Sequence, residues 1–253
     1  MRAPERLLVA LCLAACGSAG DSAGTATAEC NIPAKLDLPR AASLPDTKPD
    51  APAAAYVLAL SWSPEFCRFR KDASAHAGQC ADNDFDFILH GLWVDSAAGA
   101  SPRACTVAPP VGEALVRQHY CMMPSAQLMQ HQWAAHGTCA FSSAEAYFGA
   151  AKSLWDGVKR PDLRRLRGET LTAGMVREAF VKANIGLPSE AIAVARNNRG
   201  WLTEVRLCMD LDYNYAACRA PGADDGARVL IWRGGGSCPP APPSSGGAGR
   251  GAS

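Results

Sequence analysis

From Tyr56 to Trp62 large and small side chains alternate, with Tyr56, Leu58, Leu60 and Trp62 in one phase and Val57, Ala59 and Ser61 in the other. That period of two predicts a β-strand packed tightly on one face, and Pro64 stops it because proline cannot extend the ladder. Phe85 to His90 repeats the pattern. Phe85, Phe87 and Leu89 share one face and Asp86, Ile88 and His90 the other, which puts His90 at a strand end opposite the aromatic face. Trp201 to Met209 alternates again, and Arg228 to Trp232 is read as a last strand.

Other stretches carry helical punctuation. Pro124 and Ser125 give a start and a cap, Gly137 gives a stop, and the segment from Ala126 to His136 between them is about three turns long. On that helix Gln132 and His136 are four apart and share a face, while His131 lies on the adjacent one. Ser142-Ser143-Ala144-Glu145 resembles a capping box opening a helix through Trp155, and Thr172 caps another through Ala183. Helices and strands come in separate blocks without a βαβ rhythm. The predicted class is therefore α+β, a central antiparallel sheet with helices packed around it.

Composition narrows the setting. The 253 residues are 48% hydrophobic and 19% charged, enough for one sizeable core. With 25 basic and 24 acidic residues the net charge of +1 excludes a duplex-coating protein, so any nucleic acid must be held in a local cleft. Eleven cysteines, scattered without tandem Cys-x-x-Cys pairs, point to disulfides in an oxidising compartment and away from structural zinc. Arg2 and Arg6 before the apolar run Leu7 to Ala15 form a signal peptide over 1–16, which predicts export to a periplasmic or extracellular space. Leu13-Ala14-Ala15-Cys16 also resembles a lipobox, which would make Cys16 a lipid anchor at an outer membrane, whereas Ala26-Thr27-Ala28 offers an alternative cleavage site. Residues 17–52 read as a flexible linker, 53–238 as the folded domain and 239–253 as a disordered tail. With Cys12 and Cys16 removed or lipidated nine cysteines remain, and Cys30, in the linker-like stretch, is the expected odd one out.

Chemistry concentrates in two places. Phe87-Ile88-Leu89-His90-Gly91-Leu92-Trp93 and His131-Gln132-Trp133-Ala134-Ala135-His136-Gly137-Thr138-Cys139 hold three of the five histidines. Imidazole passes protons near neutral pH, so one on each of two segments supplies an acid and a base. Zinc is the competing use of three histidines, but His131 and His136 are five apart and rotate off a common helical face. His76 and His119 are expected on the surface or in loops, Trp62 and Trp133 in the core. Lys159, Arg160, Arg164, Arg165 and Arg167 read as a solvated charge run.

These two segments resemble the active-site motifs of the ribonuclease T2 family, secreted base-nonspecific endoribonucleases. Leu58 to Cys67 and Trp201 to Cys208 are similar to further pieces of that family, and the likeness spans about Tyr56 to Cys238. The resemblance implies a disulfide-stapled α+β fold and a monomer that cleaves single-stranded RNA without metal or other cofactor. It implies His136 as base, His90 as acid and His131 on the phosphate. Trp93 would stack on a base and Asp95 would hydrogen-bond it. The family's catalytic glutamate is Gln132 here and its lysine is Ala135, while Val94 replaces a proline. Gln132 is retained as a catalytic candidate because its amide still donates. A weakened or dead relative that binds RNA or a surface partner is the alternative reading, and a lipid-anchored structural module with incidental histidines is a third.

Overall fold

A computed structural model describes residues 30–234 apart from 42, 43, 45, 46, 49, 50 and 169. The leader, Cys16, Cys238 and the tail lie outside the described residues.

Four antiparallel strands form one sheet in the order β2-β1-β4-β3, with β1 Ala55–Trp62, β2 Phe87–Asp95, β3 Ile192–Arg196 and β4 Leu202–Met209. Six α-helices accompany it among the described residues: α1 Ser63–Cys67, α2 Ala77–Cys80, α3 Glu113–His119, α4 Ala126–Ala135, α5 Ala144–Gly157 and α6 Ala173–Ala183. The class is α+β, as expected. Tyr56, Leu58, Leu60 and Trp62 of β1 are buried in the core with Trp133, Tyr147, Phe148 and Phe180 from the helices. Burying each such side chain stabilises the fold by roughly 1.5–3 kcal/mol. The side chains of opposite phase, Val57 and Ser61 among them, line cavities on the other face.

Strand β2 runs further than its pattern suggested. It pairs Leu89 with Leu60 and then Gly91 with Ala59, so His90 is an extra residue with no partner on β1. This β-bulge moves the alternation by one. Before it Phe87 and Leu89 enter the core; after it Leu92 and Val94 do. His90 and Trp93, three apart, consequently face the same side, and His90 lies mid-strand where the end of a strand was expected. On the outer edge of β2, Leu89 N–H bonds the Met122 carbonyl at 2.8 Å, and the buried Tyr147 hydroxyl accepts from Leu92 N–H and donates to its carbonyl. Those bonds cover an edge that would otherwise be open to pairing.

Three predicted helices form with the expected caps: Ser125 accepts from Leu128 N–H, Ser143 from Ala146 N–H and Thr172 from Met175 N–H. Gly137 ends α4 for a reason other than backbone freedom, since its φ is not positive. A Cβ there would lie 2.3 Å from the Trp133 ring and 2.9 Å from that of Tyr147. The expected strand from Arg228 to Trp232 is replaced by two isolated bridges, Arg228 to Thr172 and Leu230 to Trp201. Backbone bonds to Leu171 and Gly200 hold this segment without making it part of the sheet.

Among the described residues four disulfides join Cys30 to Cys121, Cys67 to Cys80, Cys105 to Cys139 and Cys208 to Cys218. Each contributes about 2–4 kcal/mol, chiefly by restricting the unfolded chain. Cys30 is therefore bonded, which overturns its reading as the spare cysteine. Arg117 also donates to the Pro33 and Ala34 carbonyls, and Asn31 N–H to Asn83, so this stretch rests on the domain.

Candidate active site

The bulge aims His90 into a cleft where β4 meets it. His90 Nδ1 lies 2.6 Å from Glu204 Oε2, and Glu204 Oε1 accepts from Arg206 Nε at 2.6 Å. Burial alone would raise the Glu204 carboxyl, but the hydrogen bond and charge of His90, with Arg206, outweigh it and hold the group below the usual carboxylate range. An ionised carboxylate can only accept, so Nδ1 of His90 carries the hydrogen and Nε2 is left for exchange. The imidazole itself is 38% exposed, within reach of a substrate.

From the other wall come His131, Gln132 and His136, on α4 and at its C-cap. Trp93 links the two walls: its ring is 5.2 Å from that of His90, edge-on, and 5.8 Å from that of His136, nearly parallel. Its Nε1 donates to Gln132 Oε1 at 2.9 Å, and the Arg206 guanidinium sits 4.9 Å above it. Gly91 permits this closeness, because a Cβ there would lie 2.1 Å from Gln132 Oε1. Gln132 is buried and Ala135 fully so.

The two proton-transfer candidates have opposite surroundings. Burial first, then the charges of Arg103, His131 and His90, push the His136 imidazole down to about 3. Its Nδ1 is enclosed without a hydrogen-bond partner among the described residues, so exchange falls to Nε2. Burial, Arg103 and His90 likewise lower His131, whose Nε2 is 3.5 Å from Arg103 Nη2.

A cavity opens on each side of the pair. One, of about 230 Å³, is lined by Trp93, Asp95, His136, Arg206 and Arg219. In it Asp95 Oδ1 accepts from Ser96 N–H, Ser101 Oγ and Arg219 Nη2, the last at 2.6 Å, while Oδ2 makes none of these bonds. The other, of about 360 Å³, is lined by Ser61, Phe66, His76, Ile88, His90 and Leu128.

The structure thus brings together His90, Trp93, Asp95, His131, Gln132 and His136, all singled out from sequence. Glu204, Arg206, Arg219 and Arg103 were missed as site residues, and only the alternation of β4 placed Glu204 and Arg206 on one face. His76 walls a cavity where a surface position was expected, its ring edge-on to Phe66. His119 is buried against Phe148, which corrects its surface assignment. Trp62 and Trp133 are core residues as read. In the basic run, Arg164 clasps Asp84 and pairs with Asp86, while Arg160 folds over Trp155.

Burial, with the charge of Lys152, also lowers His119, against a weaker opposing effect of Asp156. His119, His131 and His136 therefore stay neutral in the fold to lower pH than the ordinary histidine value of 6.5 allows. Between 6.5 and their folded values the unfolded chain binds protons that the native state refuses, so stability falls as pH falls through that window. Thermal melts should show a lower Tm at pH 4 than at pH 7, and His119→Phe should flatten part of the slope. An equal or higher Tm at pH 4 would contradict this account.

The Ribonuclease T2 family model matches residues 53–218. A probable ribonuclease of Haemophilus influenzae is 30% identical over 182 residues, 67% of this chain and 62% of that protein. A ribonuclease of Aeromonas hydrophila is 36% identical over 111 residues, 44% of this chain and 48% of that protein. The matched region spans less than two thirds of either relative. Among solved structures, trichomaglin, described as an S-like ribonuclease, superimposes with a TM-score of 0.56 at 19% identity, covering 70% of this chain and 97% of its own. RNase NT in complex with 5′-AMP gives 0.53 at 21%, covering 71% and 98%. At those identities the two structures speak for the fold.

Proposed function

This chain belongs to the ribonuclease T2 family, and from that premise we propose that it is an exported endoribonuclease that cleaves single-stranded RNA by transphosphorylation. His136 takes the proton of the ribose 2′-OH, O2′ attacks the adjacent phosphorus, and the bond from phosphorus to O5′ breaks. His90 delivers its proton from Nε2 to the departing O5′. The product carries a 2′,3′-cyclic phosphate, and the two histidines exchange roles when water opens it to a 3′-phosphate. His131 and the Gln132 amide hold the phosphate oxygens.

The observation that carries this reading is the asymmetry of the two imidazoles around Trp93. One has its Nδ1 hydrogen on a carboxylate; the other is kept neutral by burial and by cations, which leaves one ring nitrogen to accept a proton. Pairs of titratable groups in opposed environments mark acid and base assignments. A phosphate placed beside those cations offsets their push, so the proton affinity of His136 rises once substrate binds. The cavities flanking the pair suit the two nucleosides on either side of the phosphate, with Trp93 against one base and Asp95 Oδ2 accepting from its amino group. Such stacking tolerates any base. Four disulfides favour an oxidising compartment.

The test is incubation of the purified, oxidised protein with single-stranded RNA in EDTA, followed by end-group analysis. Cyclic-phosphate ends followed by 3′-phosphates are expected, with DNA untouched because it lacks the 2′-OH nucleophile. RNA left intact across acidic and neutral pH would overturn the proposal in favour of a binding protein.

A further inference from the structure

The geometry points to Arg103 as a further catalytic residue, its guanidinium binding the reacting phosphate beside His131 and His136. The inference rests on the ribonuclease reading and supplies what α4 lacks. A phosphodiester is anionic, and its five-coordinate transition state gathers more charge on the non-bridging oxygens, which calls for a fixed cation. Helix α4 offers none at this point: Ala135 is fully buried, and Gln132 turns its carbonyl to Trp93.

Arg103 comes from a loop tied down next to that gap. Its backbone bonds Lys48 in both directions, at 2.8 and 3.2 Å, and Ala104 N–H bonds the carbonyl of Ala135 itself at 2.9 Å. Cys105 is fastened to Cys139, just past α4. Between these ties Ala104 takes a left-handed φ of 52°. A non-glycine residue held there costs of order 1 kcal/mol or more and persists only where its surroundings enforce it. The loop is thereby held in one conformation with Arg103 against His131.

The guanidinium is also available. Arg164, Arg177, Arg206 and Arg219 are each paired with carboxylates, whereas among the described residues Arg103 has no carboxylate within ion-pairing distance. Its Nη2 lies 3.5 Å from His131 Nε2. Its charge lowers the proton affinity of both His131 and His136, an effect that an anion bound between them would offset. The charged groups facing this place are His90 and Asp95 on β2, Glu204 and Arg206 on β4, His131 on α4 and His136 at its C-cap, Arg219, and Arg103 on its loop; among the described residues both anions are engaged, Glu204 by His90 and Arg206 and Asp95 by Arg219. No proton passes through Arg103 in the step written above. It acts through charge and hydrogen bonds to the non-bridging oxygens, for which a planar guanidinium is well shaped.

The test compares full-length, oxidised wild type with Arg103→Lys, Arg103→Gln and Arg103→Ala on a dinucleoside monophosphate, with inorganic phosphate as a second probe. Arg103→Gln should lower kcat/KM about a hundredfold to a thousandfold with an unchanged Tm. Arg103→Lys should fall between it and wild type, and low-millimolar guanidinium should partly restore Arg103→Ala. The acidic limb of the residual pH profile should move up, because His136 loses a neighbouring cation. In proton NMR, the shifts that inorganic phosphate induces in His131 and His136 should require roughly tenfold more phosphate in Arg103→Gln. Equal kcat/KM and equal phosphate affinity in Arg103→Gln would overturn the proposal. Should wild type cleave no RNA, weaker phosphate binding in Arg103→Gln still establishes the anion site while the ribonuclease reading falls; phosphate binding that ignores Arg103 refutes the inference in either case.

Discussion

His90→Ala and His136→Ala should each lower kcat by about a hundredfold to ten-thousandfold, the usual contribution of a positioned acid or base. Neither change should unfold the protein. His90 is well exposed, and the enclosed Nδ1 of His136 has no hydrogen bond to lose. The double variant should be little worse than either single one, since acid and base act as a unit. Single-turnover cleavage of a dinucleoside monophosphate separates these losses from product release. If His136→Ala retained wild-type turnover, the base would have to be sought elsewhere, and the pairing across Trp93 would lose its meaning.

Glu204→Gln should slow turnover by about tenfold to a hundredfold, a range borrowed from groups that orient metal-ligating histidines. Here the carboxylate acts through His90: it fixes the hydrogen on Nδ1 and leaves Nε2 toward the substrate. KM should change little, because Glu204 is buried behind the imidazole and meets no substrate. Nitrogen-15 shifts of His90 should show a single tautomer in the wild type and a mixture in the variant. A variant with raised KM and unchanged kcat would assign Glu204 to binding, contrary to this account. The loss of a charged hydrogen bond also predicts a stability decrease of about 1–3 kcal/mol.

Much of this site was legible from local signals. Alternation in β1 assigned its core face, Ser125 and Gly137 bounded the helix bearing His131 and Gln132, and histidine beside tryptophan and glycine marked both walls. What escaped was what lies close only in space. Glu204 is 114 residues from His90, and its strand pattern says that it shares a face with Arg206 without saying what stands opposite. Arg103 sits in a stretch with no periodicity, and its position depends on a disulfide whose partner sequence cannot assign. His119 looked solvent-facing because nothing local reports that Phe148 covers it. Gly137 was noticed for the wrong property: the crowding of Trp133 and Tyr147 demands it, and only the packed structure reveals that crowding.

The extra residue in β2 makes the cleft sensitive to chain length more than to side-chain identity. Removing Gly91 would abolish the bulge and leave Leu92 opposite Leu58 and Trp93 opposite Val57, so the core would keep its residues while His90, now opposite Ala59, would lose the bulged setting that aims it at Glu204. Tyr147 would still grip Leu92 by both backbone groups. Substitutions around the histidines, such as those at Gln132 and Ala135, leave this backbone feature untouched. A one-residue deletion there would spare the fold and the base cavity and act on the acid alone, so a shortened β2 should melt like the wild type and still lose turnover.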